Sequence, residues 1–346
     1  MTDTKTACVI RYGAWGDGIM ITPVLRLLKK DGYHVTVNCS EQVNEMIRNN
    51  PFVDKVIIHE RNSVPRETLG EYWDEMAKKY DRFINLSESI EGSLLKVEGR
   101  EDFGWSSVKR HAECNVNYYD RTLEIAGYGD IKGQNGELYF SIFEEQRAKA
   151  YRKKYKDKFL ILWSLSGSSF HKTYPWAEMA AKAFLNAHPD AMIMTVGDAL
   201  CEVLEWRHGR TKCYSGKWPI RKSMIMTKYS DLVVATETGV VAASACFDTP
   251  KVVMLSHASE ENLTKHWKNA YPVYDKGVQC QPCHQLHYTR ESCPTDSSTG
   301  APLCMARLKP GQVVNAMEKA YSKWKNKSKG VKHGTFRGAR RENVLR

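Results

Sequence analysis

The sequence predicts an α/β protein made of two doubly wound, parallel-sheet units in series. Three observations point there. Short apolar runs of about five residues alternate with amphipathic stretches of helical length, the rhythm of βαβ units. Those runs are almost continuously apolar rather than alternating, as expected for strands covered on both faces. The chain has 346 residues, too long for one ordinary core and comfortable for two. A charged, helix-prone stretch, Glu144 to Lys158, divides the two series. It sets an N-terminal unit at residues 1–143, a connecting helix at 144–158, a second unit at 159–322 and a basic tail at 323–346. Two such units facing each other form a cleft into which both sheets' carboxyl edges point.

In chain order, Ala7-Cys8-Val9-Ile10 is a buried strand, followed by a glycine-rich turn from Gly13 to Gly18 and a helix opening at Ile19. His34 to Cys39 is a second strand, Glu41 to Arg48 a short helix, and Lys55 to His59 a third strand. Glu71 to Tyr80 is helical and Arg82 to Leu86 a fourth strand. Residues 87–135 carry six glycines and read as loops and short helices. Their aromatic and basic side chains, Phe103 to Tyr119, suit either an acceptor cleft or a core beneath loops. Beyond the connecting helix, Phe159 to Trp163, Ala191 to Val196, Asp231 to Ala235 and Lys251 to Leu255 are strands, the last being the final clear one. Helices are expected at Pro175 to Ala187, Leu200 to Arg207, Pro219 to Lys228, Gly239 to Cys246 and Pro310 to Trp324. In the last, Pro310 suits a first turn, and Val313, Met317, Tyr321 and Trp324 share a face.

Composition is that of an ordinary soluble domain, 42% hydrophobic and 26% charged. No apolar run reaches the roughly 20 residues of a membrane span, and no secretory signal opens the chain, so a cytoplasmic protein is expected. The net charge of +11 is concentrated at the end: nine Lys/Arg against Glu342 give residues 323–346 a balance of +8. The remainder is nearly neutral, so basicity argues for a tail that binds phosphate-rich polymer or simply keeps the chain soluble. Six of the ten cysteines (Cys8, Cys39, Cys114, Cys201, Cys213, Cys246) are scattered, mostly in apolar runs. The other four crowd together at Cys280, Cys283, Cys293 and Cys304.

Three strand–loop junctions carry candidate chemistry. Gly13, Gly16 and Gly18 miss the G-x-G-x-x-G spacing, so a dinucleotide loop is not indicated. What stands out is Asp17 at a helix start, open to two roles: an N-terminal cap or a general base in the cleft. The second junction, Thr236-Glu237-Thr238-Gly239, leads from strand to helix, and its helical amides and hydroxyls suit a diphosphate. The third, Ser164 to Lys172, is a small-residue loop in which Ser168 and its neighbours expose backbone amides and Lys172 supplies a mobile positive charge.

Together these junctions resemble glycosyltransferase family 9, the bacterial heptosyltransferases. The resemblance rests on I/V-x-R-x-G-x-x-G-D-x-x-x-x-T-P near the start (Val9 to Pro23), K-x-Y-P after the second unit's first strand, E-T-G before a late helix, and a terminal C-x-P-C…C…C-M pattern. It spans about residues 6–322. It implies the GT-B architecture of two facing Rossmann-like domains, and inverting, metal-independent transfer of a sugar from a nucleotide-diphosphate donor. It implies that Asp17 is the base, that Lys172 neutralises donor phosphates and that Thr238 and Gly239 form the diphosphate turn. Glu237 stands where the family usually has Asp, and Ala242 where it usually has His.

The acceptor implied is a lipopolysaccharide core sugar or similar bacterial glycan. The basic tail and the missing histidine leave two alternatives open: a virus-type transferase acting on hydroxymethylated DNA, and a non-catalytic sugar-nucleotide or nucleic-acid-binding protein on the same fold. No cofactor is implied for catalysis, and a monomer is expected. The cysteine spacing C-x2-C-x9-C-x10-C, with His284 and His287 between, suits a structural Zn²⁺ at Cys280, Cys283, Cys293 and Cys304.

Overall fold

The structure, a computed structural model, describes residues 4–59, 63–65, 68–87, 105–285 and 293–333. The first half builds a four-stranded, all-parallel sheet from β1 (Thr6–Arg11), β2 (His34–Cys39), β3 (Lys55–Ile58) and β4 (Arg82–Asn85), in the order β3-β2-β1-β4. Around it lie α1 (Trp15–Met20), α2 (Thr22–Lys30), α3 (Glu41–Ile47), α4 (Leu69–Ala77), α5 (Ser107–Cys114) and α6 (Tyr118–Ile125). The second half builds a six-stranded parallel sheet from β5 (Phe159–Ser164), β6 (Ala191–Val196), β7 (Thr211–Cys213), β8 (Leu232–Thr236), β9 (Lys251–Met254) and β10 (Ala270–Val273). Its order is β10-β9-β8-β5-β6-β7. Its helices are α7 (Ile142–Lys153), α8 (Ala177–Ala187), α9 (Ile220–Tyr229), α10 (Gly239–Ala245), α11 (Leu303–Arg307) and α12 (Pro310–His333).

Both sheets reverse their winding beside the first strand of the half. β1 lies between β2 and β4, and β5 lies between β6 and β8. In an open parallel sheet the loops leaving the carboxyl ends of such neighbours diverge to opposite faces and leave a crevice for ligands. The loops after β1, β5 and β8 hold the three junctions singled out in the sequence.

Each sheet has its own core. Val9, Val35 and Val37 pack under α2, with Val24, Leu25 and Leu28. Phe159, Ile161 and Trp163 pack under α8 and α12, with Phe184, Val313 and Met317. The opposite face of the second sheet packs Leu160, Leu162 and Met194 against Ala148 of α7.

Several boundaries differ from the sequence reading. Helix α1 starts at Trp15, so Gly16, Asp17 and Gly18 belong to it rather than to a turn. A Cβ on Gly18 would lie 3.0 Å from Val43 Cα, so this glycine serves close helix packing on α3. The helix expected at 200–207 is a 3-10 turn, Ala199–Leu204, after Asp198 caps the Cys201 N–H at 3.0 Å. Lys251 to Leu255 is not the last strand, because β10 pairs with β9 beyond it. The connecting helix ends at Lys153 and packs on the second sheet. Phe103 and the tail beyond His333 lie outside the described residues.

Candidate functional site

The first wall of the site grows from the end of β1. Arg11 closes β1 after the apolar run Ala7-Cys8-Val9-Ile10 and is 2% exposed. Its guanidinium donates to the Leu86 carbonyl beyond β4, 2.5 Å away, and forms an ion pair with Asp17. The other oxygen of Asp17 accepts from the Ala14 N–H at 2.7 Å. The carboxylate is thus aimed from both sides, by a buried cation and by the amide of Ala14, the residue that precedes its helix. Gly13 makes that possible. Its φ is +139°, and a Cβ there would fall 2.5 Å from Asp17 Oδ2. The Gly13 carbonyl accepts from Ser40 Oγ at 2.9 Å, which ties the loop to the end of β2.

Next to this turn stands an aromatic group that the sequence reading missed. Tyr12 stacks on His59, with ring centres 4.3 Å apart, and lies 6.3 Å from Trp73. The Trp73 indole N–H donates to the Tyr12 hydroxyl at 3.4 Å. Burial lowers the His59 pKa, so its ring favours the neutral form.

The second wall is built at β5 and β8. Thr238 caps α10, its hydroxyl accepting from the Val241 N–H at 3.3 Å. By helix geometry the first amides of α10 have no intrahelical partner, which leaves an anion-binding end. Lys172 lies in a 3-10 turn, 7% exposed, and crosses Gly167 so closely that a Cβ there would meet Lys172 Cδ at 2.6 Å. The same Cβ would lie 3.3 Å from Thr238 Cγ2, so loop and turn form one surface. Ser168 is exposed on that loop.

Glu237 is held inside instead. Its carboxylate accepts from Ser256 N at 2.6 Å, Ser256 Oγ at 2.8 Å and Ala258 N at 3.2 Å, and faces His257 Nδ1 at 3.6 Å. It stitches the β8 turn to the loop after β9. Thr236 is fully buried, and its hydroxyl has no hydrogen-bond partner among the described residues.

The two walls touch through glycines. A Cβ on Gly239 would lie 3.2 Å from Trp15 Cβ and 3.4 Å from Gly16 N; one on Gly16 would lie 3.9 Å from Gly239 Cα. The structure therefore sets the Asp17 helix directly against the Thr238–Gly239 turn. Ala242 is 4% exposed and packs in this seam with Ile19, Met46 and Met224, so the position contributes apolar contact.

The four clustered cysteines also converge. Cys280, Cys283, Cys293 and Cys304 line one small cavity together with His171 and His257. Burial pushes the Cys283 thiol up to about 12 and raises Cys293 and Cys304 as well, so these sulfurs are protonated at neutral pH when no metal holds them. Among the described residues, no three His, Cys, Asp or Glu side chains are arranged to hold a metal ion. His171 precedes Lys172 in sequence and His257 Nδ1 lies 3.6 Å from Glu237, so this cavity backs directly onto the second wall. His171 hydrogen-bonds Ser169 Oγ at 2.7 Å, and burial lowers its pKa.

The sequence reading named Asp17 and the second-wall residues as candidates and gave Arg11 no role beyond its place in the motif. The signal was available: an arginine ending the apolar run Cys8-Val9-Ile10, six positions before the carboxylate it pairs with.

No protein-family model matches the chain, and no curated protein sequence matches it. Solved structures do. A glycosyltransferase family 9 protein from Veillonella parvula superposes with a TM-score of 0.67 at 14% identity, over 93% of this chain and 99% of that one. The Escherichia coli ADP-heptose lipopolysaccharide heptosyltransferase II gives 0.66 at 14% identity, over 92% and 99%. The iron-containing dodecameric glycosyltransferase TibC from enterotoxigenic E. coli gives 0.62 at 12% identity, over 94% and 81%. The chain has the two-sheet α/β fold of these GT-B-like glycosyltransferases along nearly its whole length.

Proposed function

We propose that the protein is an inverting glycosyltransferase that moves a sugar from a nucleotide-diphosphate donor to a hydroxyl of a lipopolysaccharide core or similar bacterial glycan. The observation that carries this reading is the apposition of Asp17, aimed by Arg11 and the Ala14 amide, with the Thr238–Gly239 turn across the Gly16–Gly239 contact. Inverting transfer is a single displacement. It needs a base for the acceptor hydroxyl on one side of the anomeric carbon and charge stabilisation for the departing diphosphate on the other.

In this reading Asp17 takes the acceptor proton as the hydroxyl oxygen attacks the anomeric carbon. The bond to the diphosphate breaks, and its charge is met by Lys172, the first amides of α10, the Thr238 hydroxyl and the exposed Ser168 loop. Glu237 contributes by holding that turn, and Thr236 lies beneath it. Gly13, Gly16 and Gly18 let backbone and helices approach. Residues 1–143 and 159–322 act as the two closing bodies, and closure assembles the site and excludes water. No step uses a metal ion.

The test is Asp17→Asn with a panel of nucleotide sugars. The panel starts from ADP-heptose, the donor bound in a crystal structure of the heptosyltransferase TibC. Donor affinity should persist while turnover onto lipopolysaccharide core falls by about 10² or more. Wild-type turnover in this variant would leave Asp17 as a helix cap alone. Transfer to hydroxymethylated DNA in place of core glycan would move the acceptor.

A structural-zinc reading of Cys280, Cys283, Cys293 and Cys304 rests on their spacing and shared cavity; among the described residues no three of them are set in metal-holding geometry, so zinc would have to draw them together. Thiolates there would brace the loop behind His171. Metal analysis of chelator-free protein should give near-stoichiometric zinc, and a clean negative would remove the metal.

A further inference from the structure

Helix α7 presents an outer face with an unusual make-up. Its exposed positions are 142, 143, 146, 147, 149, 150 and 153, continuing to Lys154, and they fall on one side at three- and four-residue spacing. Ile142 and Phe143 stand at the tip, each 74% exposed. The remaining exposed positions are Gln146, Arg147, Lys149, Ala150, Lys153 and Lys154, with no carboxylate among them.

The acidic residues of the helix are turned inward and neutralised. Glu144 is held by Arg221 at 2.5 Å, and Glu145 by Lys228 at 2.6 Å and by Tyr229. Beside this face lies a half-buried aromatic group under cations. Tyr151 and Trp218 rings are 5.4 Å apart, and Lys222 sits 4.2 Å above Trp218. An apolar tip, a face with only positive charge and a flanking Trp/Tyr/Lys group match the requirements of a bilayer surface. Apolar side chains enter the acyl boundary, cations meet anionic headgroups, and amphipathic rings sit between.

A second exposed apolar turn shows the contrast. Leu200 and Val203 are 79% and 85% exposed, but Asp198, Glu202 and Glu205 surround them in sequence, the wrong charge for an anionic membrane.

We propose that the outer face of α7 docks on an anionic lipid bilayer, with Ile142 and Phe143 inserted. This does not rest on glycosyl transfer, because vesicle binding reads it without turnover. The full chain would be co-sedimented with vesicles of phosphatidylcholine alone and of phosphatidylcholine doped with phosphatidylglycerol. Binding is expected to the doped vesicles only. The Ile142→Ser/Phe143→Ser variant, which changes no charge and leaves residues 323–346 intact, should lose about tenfold in vesicle affinity. Lys149→Glu/Lys153→Glu should lose at least as much. All these side chains are exposed, so thermal unfolding should stay at the wild-type midpoint. Unchanged vesicle affinity in the serine variant would overturn the proposal and assign binding to the basic tail. Retention on duplex DNA without vesicle binding would overturn it in favour of a nucleic-acid surface.

Discussion

At the scale of single residues, the question is how Asp17 could both cap a helix and serve as the proposed base. A carboxylate has about four acceptor positions. Here one oxygen meets the Ala14 amide and the other the Arg11 guanidinium, which leaves lone pairs on the open side, where Asp17 is 17% exposed. The capping bond therefore serves as an aiming device. Gly13→Ala tests this without touching the carboxylate. The new Cβ would collide with Asp17 Oδ2 at 2.5 Å and carry a φ of +139°, so the side chain must rotate away from Ala14. Stability should fall by about 1–3 kcal/mol. Turnover should fall by roughly 10²-fold, with donor affinity kept, since small misplacements are costly in the reacting geometry. Turnover at the wild-type rate would show that the aim of this carboxylate is not used.

At the scale of elements, Arg221 of α9 joins parts that are distant in sequence. It is 5% exposed and donates to the Glu45 carbonyl of α3 at 2.6 Å, the Tyr139 carbonyl at 2.8 Å and Glu144 of α7 at 2.5 Å. Burial alone would push the Glu144 carboxyl up. Arg221 and the Ser141 N–H outweigh it and hold the group at about 2, below its ordinary 4.5. A depressed carboxylate stabilises the fold above its unfolded pKa, and that contribution is lost as pH falls through the folded value. Part of the acid sensitivity between pH 4.5 and about 2 should therefore belong to this pair. Glu144→Gln should cost about 1–3 kcal/mol at neutral pH and flatten the loss of stability across that window, read by urea unfolding at stepped pH. An unaltered acid profile would show that the Glu144–Arg221 pair does not carry this acid sensitivity.

The elements legible in the sequence were those whose burial leaves a mark. β1, β5, β6 and β8 are covered on both faces, so each reads as an apolar run. β7 is three residues, Thr211-Lys212-Cys213, at a sheet edge, and β10 contains Pro272 on the opposite edge and is only half-buried. Neither offers a hydrophobic period. The same logic governs the site. Asp17, Lys172 and Thr238 stand at strand–helix junctions that local patterning locates. The Arg11–Asp17 pair lies within one junction and left a local mark, an arginine ending an apolar run, whereas the inward turn of Glu237 and the Tyr12–His59–Trp73 group arise from contacts between distant segments, which local patterning does not encode.

At the scale of the whole molecule, two sheets with separate cores meet along a seam that is itself partly apolar. Ile19 and Met46 from the first half pack with Met224, Ala242 and Ala243 from the second, and Leu138 joins them. Polar contacts flank this centre: His266 pairs with Asp120 at 2.9 Å, and Asn135 Nδ2 donates to the His266 carbonyl at 2.9 Å. The closure proposed above needs halves that are stable alone and a seam that can be repacked. Ile19 is fully buried at the centre of that seam, whereas Ile161 is fully buried in the second core. Ile19→Ala should cost about 2–5 kcal/mol and separate thermal unfolding into two calorimetric transitions, because each half keeps its own core while their coupling weakens. Ile161→Ala should cost a similar amount while lowering only the transition of the second half. If Ile19→Ala instead shifts a single cooperative transition, the two halves form one folding unit. The seam would then be a fixed joint, and motion at the site would have to come from the loops after β1, β5 and β8.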